Sequence, residues 1–214
     1  MTLANYFPQK TEYLSFQIHP CMSSRKIITL FVLLEISIIL ISVLIDGNSL
    51  TALQTTSRFS GRLSLFLFSV IFLLYDKPQT IQAWLSEKFY LLFAIVHGIH
   101  LLELLFFVYF SNASLIPIRV AGGLLAYLYI FLMPVFVKLH QSQRISSKAF
   151  SVLEIVFIYY VWLVFFLTYL PRVLGTLPEV GGSYNEHVAL LGLVSILLGT
   201  RLVGLIQFSK NKTD

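Results

Sequence analysis

Six apolar runs, at 27–45, 59–75, 89–110, 118–137, 149–170 and 187–208, follow one another with only short polar breaks between them. A helix needs about 20 apolar residues, each rising 1.5 Å, to cross roughly 30 Å of hydrocarbon. Lipid offers no water to the backbone, so every N–H and C=O must be paired within its own segment, and runs of this length dictate helices. The chain therefore reads as an all-α, polytopic membrane helix bundle with six transmembrane helices. The second run is the shortest and carries Arg62 four residues in, where its long stem lets the charge reach the interface.

Composition excludes the alternatives. The chain is 57% hydrophobic and 12% charged, against about 45–50% and about 25% for soluble domains. That is too little charge to coat a soluble exterior, and too much hydrophobicity for disorder. The single cysteine, Cys21, excludes an internal disulfide, a cysteine zinc site and a cysteine-held iron–sulfur cluster. No metal site is predicted. The net charge of +5 comes without a basic run or phosphate loop, so no nucleic-acid partner is expected.

The breaks carry turn chemistry: Asp46-Gly47-Asn48-Ser49, Asp76-Lys77-Pro78, Ser111-Asn112, and the stretches 141–144 and 171–185. Residues 81–85 form a short amphipathic stretch suited to the interface, and Trp84, Phe89, Tyr90, Tyr109, Phe110 and Tyr169 form an aromatic belt. The first run follows 26 mostly polar residues with no small-residue cleavage site after it, which predicts a retained span rather than a signal peptide. Counting Lys and Arg by side sets ten residues at the termini end (Lys10, Arg25, Lys26, Lys77, Lys88, Lys138, Arg144, Lys148, Lys210, Lys212) against Arg58, Arg62, Arg119 and Arg172. This asymmetry predicts both termini in the cytoplasm. The organisation expected is a cytoplasmic segment at 1–26, a six-helix transmembrane domain at 27–208 and a cytoplasmic tail at 209–214.

A charge at the centre of a span costs about 2.5–3.5 kcal/mol on insertion scales, so each one needs a reason. Glu35, Glu103, Glu154 and Arg201 lie inside spans, and His97 and His100 lie deep in the third. Counting depth at 1.5 Å per residue pairs Glu154 with Arg201 and Glu35 with His97, and leaves Arg62 or Arg119 for Glu103. His97, His100 and Glu103 recur three apart on one helical stripe. The stripe suits a haem ligand, a metal ligand or a proton relay; it also suits polar packing with each imidazole bonded to a carbonyl. His19, His140 and His187 sit in loops or at span edges and carry no predicted role.

Phe59-Ser60-Gly61-Arg62-Leu63-Ser64-Leu65 and Phe93-Ala94-Ile95-Val96-His97-Gly98-Ile99-His100 resemble two successive spans of the ferric reductase-like transmembrane domain family, over about residues 55–170. The resemblance implies six spans, haem b held by histidine, redox-linked activity and a bacterial inner membrane. The family's histidine on the fifth span has no counterpart here, where Glu154, Tyr159, Tyr160 and Trp162 stand. Three functions follow as expectations. One is a haem-binding, redox-linked protein using His97 and His100. Another is a proton-coupled transporter using Glu35, His97, His100 and Glu103. The third is an accessory subunit, embedded in the lipid bilayer, whose buried charges fix register or serve partner contact, the partner being a membrane or cytoplasmic protein.

Overall fold

The computed structural model describes residues 24–47, 49–74, 88–112, 117–177 and 181–210, and among these the chain is all helical. The helices are α1 Ser24–Asp46, α2 Leu50–Leu74, α3 Lys88–Ser111, α4 Pro117–Gln141, α5 Ser147–Val173 and α6 Tyr184–Lys210. All six are long and apolar enough to cross a bilayer. The protein is a multi-pass membrane helix bundle. His19, Cys21, the break at 76–78 and the amphipathic stretch at 81–85 lie outside the described residues.

Successive helices pack side by side from α2 to α6, and α6 returns to touch α2, which closes a ring of five. α1 lies outside the ring in the crease between α2 and α3. This arrangement explains the hydropathy of the spans. α2 has the lowest mean hydropathy of the six, 1.5, and half of its most apolar stretch is buried; α1 has the highest, 2.9, with 11% buried. A helix facing lipid all round must be greasy, whereas one packed on several sides can carry Thr56, Ser57, Ser60 and Ser64 inward.

The same reasoning corrects two boundaries. α2 begins at Leu50, nine residues before the apolar run, because its first turns are polar yet packed against neighbours. α5 continues through Pro171 to Val173, so the break expected at 171–185 shrinks. α6 then starts on a reciprocal cap: Glu186 N donates to Ser183 Oγ and Ser183 N donates to Glu186 Oε2, both at 3.3 Å.

Phe68 centres the core. Its ring lies 5.8 Å from Phe93 on α3 and 5.3 Å from Phe165 on α5, distances at which aromatic pairs add to simple burial. Polar ties then fix the helices relative to one another. Trp162 Nε1 donates to Val194 O at 2.9 Å between α5 and α6, and Tyr160 OH donates to Gly122 O at 3.0 Å between α5 and α4. Both reach backbone carbonyls, which stay within the helical ladder and accept a second bond through a free lone pair.

Candidate functional site

The closest packing in the bundle is between α2 and α3, and it follows from small residues on α2. Ser57 and Gly61 stand one turn apart, as do Ser60 and Ser64, so two adjacent rows of small side chains face α3. His100 enters the notch at Gly61. A Cβ added there would stand 3.0 Å from His100 Cε1 and 3.3 Å from Nε2, and the imidazole also lies within hydrogen-bonding reach of the Ser57 backbone.

One turn away, Ser60 Oγ donates to Glu35 Oε1 at 3.1 Å. Glu35 is 1% exposed, although α1 is otherwise the most lipid-facing helix. Glu103 faces the same Ser60 hydroxyl from α3 and lies within electrostatic range of Glu35. Glu35, Glu103, Ser60, Ser64 and His100 therefore form one polar seam where α1, α2 and α3 meet. His97 lies where the seam enters the aromatic core. Its ring stacks on Phe93 at 5.2 Å and Tyr127 at 4.7 Å, meets Phe165 edge-on at 6.0 Å, and sits 5.4 Å from His100.

The seam has more hydrogen-bonding capacity than the protein fills. Glu35 Oε2, both Glu103 carboxyl oxygens, Ser64 Oγ, His97 Nδ1 and His100 Nδ1 are buried without a protein partner. Buried polar atoms are almost always bonded to protein or water, so a row of orphans marks a place where water or a ligand is accommodated. A groove of about 680 Å³ between α1, α2 and α3, lined mainly by apolar side chains such as Ile39, Leu53, Leu102 and Phe106, has Glu103 on its wall.

Two expected pairings take a different form. Glu35 reaches Ser60 and the level of Glu103 rather than His97, which lies six residues back on α3, about 9 Å along the axis. Counting from the start of each apolar run sets Glu35 level with His97, and packing shifts α1 along the axis from that register. Arg62 pairs with Glu186 of α6, not with Glu103. The side chain of Arg119 lies outside the described residues.

Glu154 and Arg201 lie apart from the seam, toward the other end of α2 and α3. Glu154 Oε1 accepts from Tyr90 OH at 3.3 Å. Arg201 Nε donates to Tyr159 OH at 3.0 Å and Nη1 to Phe72 O at 2.7 Å, with the guanidinium 5.0 Å from the Phe72 ring centre. Those contacts tie α6 to α2 and α5, a role in closing the ring.

His187, given no role from sequence, is buried in the first turn of α6 beside Arg58, Arg62 and Arg172. The sequence signal for that corner was the Ser-x-x-Glu pattern at 183–186, which caps α6 and aims Glu186 back at α2. Comparison with protein-family models, with curated proteins and with solved structures finds no significant match to this chain.

Proposed function

We propose that this is a proton-relaying membrane protein whose path runs along Glu103, Ser60 and Glu35 and continues through His100 to His97. One observation carries the reading: two carboxyl groups, a hydroxyl and two imidazoles with unfilled hydrogen-bonding capacity, those of Glu35, Glu103, Ser64, His97 and His100, line up along one seam of α1, α2 and α3. Ionisable groups at membrane depth are costly, and inward-facing chains of Glu and His are the chemistry of proton relays. Carboxylic acid, hydroxyl and imidazole each donate and accept, so a proton can pass between them through intervening water.

The functional test is proton flux in liposomes under an imposed pH gradient. Wild-type protein is expected to acidify the lumen, while Glu35→Gln and His97→Ala reduce the rate to that of empty vesicles with the fold intact by circular dichroism. Unchanged flux in both variants contradicts the reading. The sidedness that goes with it, both termini cytoplasmic, is supported by the excess of Lys and Arg at the termini end of the bundle.

The redox-linked alternative draws on the resemblance to the ferric reductase-like domain and on the buried, unpartnered Nδ1 atoms of His97 and His100. Their fit to haem is poor. The two imidazoles share one side of α3 with ring centres 5.4 Å apart, so they cannot clasp one iron from opposite faces. The His97 ring is packed against Phe93 and Tyr127 within the aromatic core. Met133, a conceivable axial ligand, is fully enclosed in the core. A Soret band in protein purified with added haem, lost in His97→Ala, would favour this alternative over the relay.

A further inference from the structure

The end of the bundle remote from the start of α1 gathers three arginines. Arg58 and Arg62 stand one turn apart on α2, Arg172 lies in the last turn of α5, and His187 lies in the first turn of α6. All three guanidiniums act within electrostatic range of His187, and Arg58 and Arg172 also act on Arg62. Among the described residues a single carboxylate, Glu186, is paired in this group, with Arg62. Among the described residues, three positive charges against one negative charge leave two unbalanced, in a region only partly open to water. Such repulsion favours a bound counter-charge.

The geometry around the cluster is that of a cradle. Arg58 Nε, Arg62 Nε, Arg172 Nε and both ring nitrogens of His187 are buried without a protein partner. Cation–π contacts hold the guanidiniums by their faces, Arg62 at 4.4 Å over Phe59 and Arg172 at 5.7 Å over Tyr169, which leaves N–H edges free to donate. The chain passes close above at two glycines, beside the Gln54 and Glu186 side chains. A Cβ on Gly181 would stand 3.1 Å from Arg58 Nη1, and one on Gly182, whose φ is +108°, would stand 3.1 Å from His187 Cε1.

We infer that this cluster binds a phosphate group, either free or as the headgroup phosphate of a membrane lipid. A carboxylate presents two oxygens in a plane and occupies one guanidinium fork. A tetrahedral phosphate presents oxygens in several directions and answers several forks at once. The height of the cluster, at the end of the spans beside interfacial aromatic rings, is the level of lipid phosphates. This inference is independent of the relay, which uses other residues.

The test follows thermal unfolding of the full-length protein in a neutral detergent. Inorganic phosphate is compared with sodium chloride at matched ionic strength, and phosphatidylglycerol with a phosphate-free glycolipid. A saturable rise in Tm with either phosphate probe, absent with its control, supports the site. A response to phosphatidylglycerol alone assigns it to lipid, and a response to inorganic phosphate assigns it to the free anion as well. The double variant Arg58→Gln/Arg172→Gln keeps the Arg62–Glu186 pair and is expected to weaken binding at least about tenfold. Arg144→Gln, exposed at the opposite end, is expected to leave it unchanged. Should the double variant not fold, native mass spectrometry of wild-type protein decides, by whether it retains phosphatidylglycerol over the glycolipid or inorganic phosphate over chloride. No preference for phosphate in either measurement, or binding by a folded double variant equal to wild type, overturns the inference.

Discussion

His100 occupies the space that a side chain on Gly61 would need: an added Cβ lies 3.0 Å from its Cε1 and 3.6 Å from its Nδ1. The missing side chain lets α2 and α3 approach closely one residue away from Ser60, which bonds Glu35 of α1. One absent methyl group thus links the closest helix pair of the bundle to the chemistry of the seam.

Gly61→Ala is accordingly expected to destabilise the protein by about 1–3 kcal/mol, the cost of forcing a side chain into a packed interface. The conflict is with the imidazole, not with backbone, so the same substitution in a His100→Ala background should cost less than half as much. A double-mutant cycle in mixed micelles measures the difference. Equal costs in both backgrounds would place the conflict elsewhere.

The interhelical hydrogen bonds are not expected to contribute equally. Bonds between helices in a membrane average about 0.6 kcal/mol and reach about 1.7 kcal/mol. Ser60→Ala removes one donor to Glu35 and should fall near the average, because the second carboxyl oxygen is already without a protein partner. Tyr159→Phe removes the acceptor of the Arg201 Nε proton, a bond to a charged donor, and should fall at or above the upper value. Unfolding midpoints of the two variants in the same micelles give the ranking; a larger cost for Ser60→Ala would contradict it.

Much of the fold was legible because lipid leaves the backbone few choices: six apolar runs become six helices. The least convincing run was the second, and it is the most buried helix. Thr56, Ser57, Ser60 and Ser64 lower its hydropathy for the reason that makes it central, since they face protein and not lipid. The buried charges were legible as singular residues, but the partners of Glu35 and Arg62 were not. Glu35 meets Ser60 and not His97 because helix offset is set by packing, which counting residues from each span's start does not contain. Arg58 and Arg172 entered the sequence reading only as topology charges; their convergence with His187 depends on α6 returning to α2.

Glu186 serves two structures at once, and two substitutions separate them. Glu186→Gln retains a side chain able to cap the Ser183 amide but removes the charge paired with Arg62, and should cost about 1 kcal/mol, with the loss shrinking as ionic strength rises. Glu186→Ala also removes the cap and should cost about 1 kcal/mol more. Thermal unfolding at two salt concentrations distinguishes these terms, and a salt-independent loss in Glu186→Gln would argue that the pair contributes nothing.

The central claim is that Glu35 and Glu103 share a watered seam inside the bundle. The infrared spectrum of the protein in lipid, recorded in H2O and then in D2O, tests it most directly through the carboxylic C=O stretch. The account predicts carboxyl bands that shift on exchange within minutes, one component lost in Glu35→Gln and another in Glu103→Gln. Bands from these two residues that keep their protons after prolonged exposure to D2O would contradict it.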